Sequence, residues 1–391
     1  MSIQDEFDRD ALREGLDACG ADGWLLFDFR GINPVAGRVL GLGGMGSRRL
    51  FVYLPRDGEP VAIAHKIELQ PLGNFPGRIT PYARWEELHD GLRETIAGKT
   101  VAMEISKDDA VPYLDRIPYG VVELVRNLGA TVVPSGPLVT HFAARWSDDE
   151  RADHLRSAEI LARIARLSLG EACNQAGSIT ECELQSRVMG RIQEEGLLFD
   201  HPPIVAFGAN AADPHYAPQT GSDPVLEPDQ TILLDLWAST SLETVAADQT
   251  WMGFSGRTPS RRVVTIWETV RNARDAAIAH VREAVAAGRT LRGFEIDRAA
   301  RDLIDAAGFG EYFVHRTGHS IDRDLHGSGP HCDDYETRDD RELQMGVGFS
   351  IEPGIYIKGE IGIRSEVDMF WGPTGVVVTP ESPQVDLITA S

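Results

Sequence analysis

The sequence of 391 residues predicts an α/β (α+β) protein with two domains. Near the start of the chain, short apolar runs of strand length alternate with helix-like segments, which is typical of α/β domains. Farther on, capping boxes begin long helices, and apolar strands that carry isolated charged residues follow them. We expect the two domains to cover 1–142 and 143–391.

The elements of the first domain follow one another in a regular order. An amphipathic pattern predicts a helix over 4–19, and a second helical pattern covers 85–98. The stretch 134–146, which contains Pro and Gly, is the expected linker. Runs of apolar, β-branched and aromatic residues predict strands at 23–29, 48–55, 59–65 and 100–105.

Helix start signals organise the second domain. Ser147 and Glu150 form a capping box, and a second pattern of the same kind begins at Thr180. The helices expected in this domain run from 147 to about 169, from 180 onward, over 260–287 and over 294–307.

Composition limits the class of protein. The formal net charge is −22, which opposes nucleic-acid binding because such binding depends on basic residues at the phosphates. No apolar run reaches the roughly eighteen residues of a membrane span, and the first residues lack the regions of a signal peptide. The four cysteines contain no CxxC pair and are expected to be reduced. We therefore expect a cytoplasmic enzyme without a nucleic-acid or membrane partner.

The most informative feature is a set of five side chains able to bind metal, each within its own strand-like segment. Four carboxylates and one imidazole cannot be buried together without a cation, because a buried carboxylate either protonates or pairs. Two divalent ions that share these ligands would solve the problem and would make the site hydrolytic. The five candidates are Asp235, Asp248, His319, Glu352 and Glu366.

The first two candidates lie on two apolar runs that form a possible hairpin. If the polar stretch 239–243 is a turn centred between Ser241 and Leu242, Asp235 lies directly opposite Asp248. Directly opposed residues have Cβ atoms about 5 Å apart, so both carboxylates could bind the same ions. The alternative of one buried Asp and one turn Asp stays open at this point.

The later candidates lie in segments with a period of two. Around Glu352 the apolar residues point to one side and the carboxylate to the other, and Pro353 then interrupts the strand. Arg364, Glu366 and Asp368 share one strand face, which would ordinarily be solvated. The other candidate ligands favour a buried polar site for this face instead.

Histidines are concentrated between 315 and 331, a segment that contains four of the eleven in the chain. A solvated or pH-sensitive loop accounts for this density equally well. A further histidine, His215, follows a short apolar strand in a segment bounded by Gly and Pro, where a plain loop residue is the default interpretation. The four clustered histidines are His315, His319, His326 and His331.

Taken in order, these segments resemble the creatinase/aminopeptidase P/prolidase family, the pita-bread metallopeptidases. The order is G-x-N…P-H, the Asp-bearing hairpin, H-x-T-G-H, I-E-P-G-I-Y and G-I-R-x-E, from about residue 145 to the C-terminus. The resemblance implies a C-terminal pita-bread fold preceded by a smaller creatinase-type N-terminal domain. It also implies a homodimer with two divalent ions in each chain.

The resemblance implies a role for each of the five candidate ligands. Asp235 would bind one ion, and His319 with Glu352 would bind the other. Asp248 and Glu366 would bridge both ions, and a hydroxide held between the ions would attack the amide. Because four carboxylates and one imidazole are hard ligands, Mn²⁺ is the favoured metal, with Zn²⁺ or Co²⁺ as alternatives.

Other matching residues would act on the substrate. His215 and His326 match histidines that contact the substrate and assist proton movement, and His326 would also donate to the oxyanion. Glu352 would take the proton of the water and pass it to the leaving amine. Arg364 matches an arginine that anchors the polar network of the site.

The chain departs from the family pattern in ways that concern the substrate. The usual Asp-x-Gly is here Asp235-Leu236-Trp237, and the two hairpin Asp residues are two positions farther apart. An even insertion keeps both on the same strand face. Trp237 shares the face of Asp235 and is predicted to line the substrate pocket, whereas Trp251 is predicted to belong to the core. Asp322 also differs from the residue usual at its position.

The favoured function is hydrolysis of the Xaa-Pro peptide bond, by an Xaa-Pro dipeptidase or an Xaa-Pro aminopeptidase. Its partner would be a small peptide with proline in the second position. One alternative is a non-peptidase hydrolase or lyase on the same metal scaffold, because one fold hosts several chemistries. A catalytically inactive binding module is the second alternative, and the retention of all five candidate ligands argues against it.

Overall fold

The computed structural model describes Ile3 and residues 7–41 and 46–391. By its internal contacts the chain divides into two compact units, Met1–Ala144 and Arg145–Ser391. No helix in the described ranges combines the length and the apolar character needed to cross a membrane. Residues 4–6 of the predicted first helix lie outside the described residues, and the helix that is described begins at Arg9.

A mixed sheet occupies the centre of the first unit. Its described strands are β1 (Gly23–Asp28), β2 (Leu50–Pro55), β3 (Val61–His65), β4 (Arg78–Tyr82), β5 (Thr100–Met103) and β6 (Thr131–Pro134). They lie side by side in the order β4-β3-β2-β1-β5-β6. β1 pairs antiparallel with β2 and parallel with β5. The strands predicted from apolar runs are therefore present, and they belong to one sheet.

Helices cover both faces of this sheet because β1 is apolar on both sides. Trp24 and Leu26 belong to one buried cluster, whereas Leu25 and Phe27 belong to another, as the period of two requires. The helices of the first unit are α1 (Arg9–Cys19), α2 (Pro34–Leu40), α3 (Trp85–Ile96), α4 (Tyr119–Asn127) and α5 (Gly136–Ala143).

The prediction of a linker over 134–146 is wrong. Most of this stretch is the helix α5, and its residues Leu138, Val139 and Phe142 are buried in the same cluster as Trp24. Pro134 ends β6, and Gly136 and Pro137 lie in the first turn of α5. Proline is tolerated there because its missing N–H would have no partner within the helix.

The second unit contains the longest helices of the described chain. Its helices are α6 (Asp148–Cys173), α7 (Glu181–Glu194), α8 (Arg261–Ala286) and α9 (Gly293–Ala306). Both predicted capping boxes are confirmed: the Ser147 hydroxyl accepts from the Glu150 N–H, and Thr180 caps α7 in the same way.

The strands of the second unit form three small sheets. The strands are β7 (Ile204–Phe207), β8 (Thr231–Ala238), β9 (Ala247–Phe254), β10 (Ser320–Ile321), β11 (Gly348–Ile351), β12 (Gly354–Ile357), β13 (Ile361–Arg364), β14 (Val367–Gly372), β15 (Gly375–Thr379) and β16 (Ile388–Thr389). The sheets have the orders β16-β9-β8-β7, β10-β11-β14-β15 and β12-β13. The break between β11 and β12 falls at Pro353, as predicted. α6 and α7 pack on the apolar face of the sheet that contains β8 and β9.

The hairpin of β8 and β9 forms as predicted, but its register differs. Asp235 lies opposite Thr250, and Trp237 lies opposite Asp248. The predicted direct opposition of Asp235 and Asp248 is therefore wrong by two residues. Because two is the side-chain period of a strand, both Asp residues still point to the same face, now as diagonal neighbours.

The loop of the hairpin explains the shift in register. Ser239, just after β8, pairs with Leu198 instead of with β9. On the other side of the loop, Val245 is buried in a cluster with Trp146, Ile321 and Phe370. These tertiary contacts move the centre of the turn one position toward the C-terminus. No local sequence pattern indicates such contacts, so the shift could not be predicted.

Candidate metal centre

The five candidate ligands approach one another from different elements. Asp235 lies in β8 and Asp248 in β9, His319 precedes β10, Glu352 follows β11, and Glu366 lies between β13 and β14. Asp248, His319 and Glu366 each offer one ligand atom, and these atoms lie within 4.8 Å of one another. Every candidate except Glu352 is less than a tenth exposed, and the side chain of Glu352 is 13% exposed.

The orientation of His319 suits a metal ligand. Its Nδ1 lies 3.2 Å from the backbone oxygen of Ser320, which favours the tautomer with the proton on Nδ1. Nε2 then carries the free lone pair, and it lies 3.6 Å from Oδ2 of Asp248 and 3.5 Å from Oε1 of Glu352. The backbone N–H of His319 donates to the Ser350 hydroxyl at 3.0 Å, which holds the residue against β11.

Arg364 holds the opposite side of the cluster. Its guanidinium group pairs with Asp235, and its Nε donates to Oγ1 of Thr250 at 2.8 Å. The Thr250 hydroxyl donates in turn to Oε2 of Glu366 at 2.7 Å. Arg364 thus orients two of the candidate ligands, one directly and one through Thr250.

The carboxylates of the cluster resist ionisation in the absence of a cation. Burial raises the pKa of Asp235 to about 6 and that of Asp248 to about 7. Burial also raises the pKa of Glu352, and burial together with repulsion from Asp248 raises the pKa of Glu366 well above its ordinary value. Burial lowers the pKa of His319, so the imidazole is neutral and able to coordinate.

This donor set fits hard divalent cations. Oδ1 of Asp235 is buried and has no hydrogen-bond partner in the described part of the chain, which is costly unless another group binds it. One ion pair with Arg364 cannot neutralise four neighbouring carboxylates. Carboxylate oxygens with one neutral imidazole are the donors that Mn²⁺ and similar ions prefer. The residues that would hold the ions are Asp235, Asp248, His319, Glu352 and Glu366.

Removal of divalent ions should leave a centre whose contribution to stability falls as the pH rises. The pKa values of Asp235 and Asp248 in the folded protein, about 6 and about 7, exceed the ordinary 3.8, so these two groups bind more protons in the folded state than in the unfolded state. Their contribution is fully present below about pH 4 and is lost as the pH rises through 6 and 7. Buried histidines with lowered pKa values act in the opposite direction, so the expected effect is a difference: the Tm of the chelated wild-type protein should fall by several degrees relative to that of chelated Asp248→Asn between about pH 4.5 and 7.5.

Two comparisons isolate this effect. Asp248→Asn removes one of the two titrating groups, so its Tm should lack this part of the pH dependence. Saturating Mn²⁺ replaces the protons, and the Tm of the wild-type protein should then no longer fall relative to that of the variant. The same dependence of the Tm on pH in the chelated wild-type protein and in chelated Asp248→Asn would contradict the raised pKa of Asp248.

The two predicted substrate histidines lie beside the cluster. The ring centroid of His326 lies 4.3 Å from that of His319, and the His326 side chain is exposed. The pKa of His326 is lowered, first by the neighbouring His319 and then by burial and by the guanidinium group of Arg316. The loop of His215 is held by Arg364, whose Nη1 donates to the backbone oxygen of Pro214 at 3.4 Å.

Asp322 shapes the loop that carries His326. Its buried carboxylate accepts the backbone N–H of Asp324 at 2.9 Å and that of Ser328 at 2.8 Å. These hydrogen bonds close the loop on both sides of His326. Asp322, which differs from the family pattern, therefore has a structural role in this chain.

Sequence reasoning missed a buried polar pair behind Asp248. Asp368 is fully buried, and its Oδ2 accepts the backbone N–H of Asp248 at 2.9 Å. The same oxygen lies 3.7 Å from Nε2 of His154, which is also 2.9 Å from the Thr379 hydroxyl. The sequence pattern places Asp368 on the same strand face as Glu366, and this shared face is the signal that points to Asp368. For His154 the sequence shows only a lone histidine in a predicted helix, which does not indicate a partner.

A cavity of about 510 Å³ adjoins the centre and is lined in part by Trp237 and His326. Trp237 lies in the wall of this cavity, and its role in binding substrate stays a prediction. Its Nε1 donates to Oδ1 of Asp200 at 2.9 Å. Trp251 is buried, as predicted, with Arg166 stacked 4.7 Å from its ring centroid.

Comparison with known proteins identifies the family. The model of metallopeptidase family M24 matches residues 153–371, which is more than half of the chain. The protein belongs to metallopeptidase family M24. The resemblance to the creatinase/aminopeptidase P/prolidase group is therefore confirmed, and so is the pita-bread fold preceded by a smaller α/β domain.

Individual relatives agree with this assignment. An Xaa-Pro dipeptidase of Lactobacillus helveticus is 40% identical over 172 residues, which are 42% of this chain and 40% of that protein. An uncharacterized peptidase of Staphylococcus aureus (strain USA300) is 31% identical over 335 residues, 82% of this chain and 85% of that protein. The crystal structure of a recombinant prolidase from Thermococcus sibiricus has a TM-score of 0.66 at 24% identity, covering 98% of this chain and all of that chain.

The match to the named dipeptidases is partial. The chain spans 40% of the length of the Lactobacillus helveticus dipeptidase and 51% of the length of an Xaa-Pro dipeptidase of Lactobacillus delbrueckii subsp. lactis. The match to the S. aureus peptidase covers most of both proteins, but the name of that peptidase gives no substrate.

Proposed function

We propose that the protein hydrolyses the Xaa-Pro peptide bond of small peptides and uses two divalent ions, most favourably Mn²⁺. The observation that carries the proposal is the convergence of four buried or nearly buried carboxylates around the neutral imidazole of His319. The Xaa-Pro dipeptidases among the Lactobacillus relatives supply the substrate class. Membership of a metallopeptidase family supports the reaction type.

The ions, when bound, supply a Lewis acid and lower the pKa of water toward neutrality. Asp235 would hold one ion, His319 and Glu352 the other, and Asp248 with Glu366 would bridge them. Because the pKa values of the carboxylates are raised, metal binding displaces protons from them, whereas the neutral His319 offers its lone pair without losing a proton.

Glu352 is the proposed proton carrier. It is the most exposed of the five candidate ligands, with a side chain 13% exposed, so substrate and water can reach it. Burial raises the pKa of Glu352 above that of an ordinary glutamate, which favours a group that takes a proton and returns it. Oε1 of Glu352 would accept the proton of the attacking water and deliver it to the leaving nitrogen, with His215 assisting.

His326 is the proposed donor to the developing oxyanion. Its lowered pKa keeps the ring neutral, and a neutral imidazole still has one N–H to donate. The ring is already oriented by His319 and by the loop that Asp322 closes. A donor oriented before the reaction stabilises the transition state without further reorganisation.

Proline selectivity would come from shape. An Xaa-Pro bond is a tertiary amide without an N–H, so the site cannot recognise it by accepting a hydrogen bond. Trp237 lies opposite Asp248 and forms part of the cavity wall, where its ring can pack against the pyrrolidine. Homodimer assembly and a cytoplasmic location stay predictions.

Proline-dependent turnover tests the proposal. The Mn²⁺-loaded protein should cleave Leu-Pro at least about tenfold more efficiently, in kcat/KM, than Leu-Ala, because one well-packed ring contact contributes more than 1 kcal/mol. Assays of Leu-Pro-Gly beside Leu-Pro distinguish an aminopeptidase from a dipeptidase. Trp237→Ala should reduce the preference for proline without loss of metal.

Two results would contradict the proposal. Equal kcat/KM values for Leu-Pro and Leu-Ala would show that the protein has no specificity for proline. Failure of a fully metallated protein to cleave any of these peptides would favour a non-peptidase hydrolase or lyase on the same scaffold.

A further inference from the structure

The cavity beside the metal centre contains a carboxylate that has no part in the centre itself. Asp200 lines this cavity together with Trp237 and His326. Trp237 pairs with Asp248 across the hairpin, and the ring of His326 contacts that of His319, so the cavity begins next to two candidate ligands. A substrate held at the ions would therefore extend into a space that includes Asp200.

The geometry orients the Asp200 carboxylate. Nε1 of Trp237 donates to Oδ1 at 2.9 Å, and Nδ1 of His201 lies 3.0 Å from Oδ2. In the family pattern Asp-x-Gly a glycine occupies the position of Trp237, and glycine has no side-chain N–H that could orient Asp200. A carboxylate has about four lone-pair positions, so each oxygen can accept a further donor.

The carboxylate is ionised. Burial alone would raise the pKa of Asp200, but the hydrogen bonds from Trp237 and His201 outweigh burial and lower that pKa below its ordinary value.

The other charges of the cavity leave it acidic. Arg323 lines the cavity, but its Nε donates to Glu150 at 2.8 Å, so this cation is already paired. Asp324 adds a second carboxylate to the lining. His201 is 77% exposed, so water competes for its contact with Asp200. Asp200 lies at the Nε1 edge of the Trp237 ring. A cationic group that entered the cavity from the side of the metal centre would therefore reach the Asp200 carboxylate at this edge.

We infer that Asp200, oriented by Trp237, binds the cationic side chain of a Lys or Arg residue on the amino side of the scissile bond. The inference rests on the proposed function, because in an Xaa-Pro substrate only Xaa supplies a variable side chain. Trp237 lies between Asp200 and the hairpin ligand Asp248. A long side chain of the substrate residue Xaa can extend past the indole ring of Trp237 to Asp200. The α-ammonium group of the substrate stays nearer to the scissile bond.

Binding of amino alcohols tests this inference without turnover. Lysinol and leucinol share an ammonium group and lack a scissile bond, so they differ at the side chain alone. Calorimetry on the Mn²⁺-loaded protein should give a Kd for lysinol about fivefold lower than that for leucinol, the effect of a partly exposed ion pair. Asp200→Asn should remove the difference with the metal content unchanged, and Trp237→Phe should reduce it.

Asp324→Asn is the matched control, because it removes the other carboxylate of the same cavity. The preference for lysinol should survive in this variant. The inference is overturned if the ratio of the two Kd values is unchanged in Asp200→Asn, if Asp324→Asn alone abolishes it, or if leucinol binds more tightly to the wild type.

A kinetic measurement separates this inference from the proposed function. The ratio of kcat/KM for Lys-Pro to that for Leu-Pro should fall about fivefold in Asp200→Asn. If neither peptide is cleaved by the metallated wild type, the proposed function fails, and the amino-alcohol ratios still decide the role of Asp200. If Leu-Pro is cleaved and the ratio does not change, the inference alone fails.

Discussion

Replacement of Glu366 by glutamine is expected to remove at least one ion per chain and to lower kcat/KM by more than about 10³-fold. The loss should exceed the 10² to 10³ that accompanies removal of one hydrogen-bond donor to the transition state, because the metal itself is lost. Glu366 offers a ligand atom within 4.8 Å of those of Asp248 and His319, and it has a buried hydrogen bond from Thr250. An amide keeps the shape but supplies no charge to bridge two cations. Metal analysis and kinetics on the same preparation check both effects.

A matched substitution controls for general damage. Glu243→Gln makes the same chemical change at an exposed position in the loop of the β8–β9 hairpin. This variant should keep the wild-type metal content and activity. Asp248→Asn should behave like Glu366→Gln. If Glu366→Gln retained the full metal content of Glu243→Gln, Glu366 could not be a bridging ligand.

The second large effect is expected at His326. His326→Ala should keep its metal and lose about 10² to 10³ in kcat, which is the usual effect of removing one oxyanion donor. The ring of His326 contacts that of His319, but the His326 side chain is exposed, so its removal opens little space in the core. KM should change much less than kcat, because the hydrogen bond is made mainly in the transition state.

Two further variants test whether the loss in kcat comes from the missing N–H donor of His326. His326→Gln restores a side-chain N–H donor and should recover part of kcat. His89→Ala in the first unit removes a histidine far from the sequence segments of the site and should have wild-type kinetics. A His326→Ala protein that loses its metal would show instead that His326 acts as a ligand.

Local patterns predicted much of the fold because they depend on nearby residues. The capping boxes at Ser147 and Thr180 require a hydroxyl and a carboxylate three residues apart, and both begin helices. The period of two assigned Glu352 and Glu366 to polar strand faces that are buried in the structure or nearly so. The site could be anticipated for the same reason, since four carboxylates with strand periodicity are unusual unless they share a cation.

Features that depend on tertiary contacts could not be predicted. The register of the β8–β9 hairpin is set by the pairing of Ser239 with Leu198 and by the burial of Val245, which lie outside both strands. The partnership of His154 with Asp368 joins residues more than two hundred positions apart. The helix α5 is stable because it packs on the sheet of the first unit, although its Gly and Pro residues suggested a linker.

The metal content of the protein tests the central claim most directly. After loading with Mn²⁺ and removal of unbound ions, the wild-type protein should contain about two ions per chain, because carboxylates that bridge require two cations. The five candidate ligands lie in buried or nearly buried positions that are costly without such ions. Measurement by plasma mass spectrometry should give this ratio and should show its loss in Glu366→Gln. A ratio near zero after loading, or equal to that of Glu366→Gln, would contradict the dinuclear centre on which the proposed function depends.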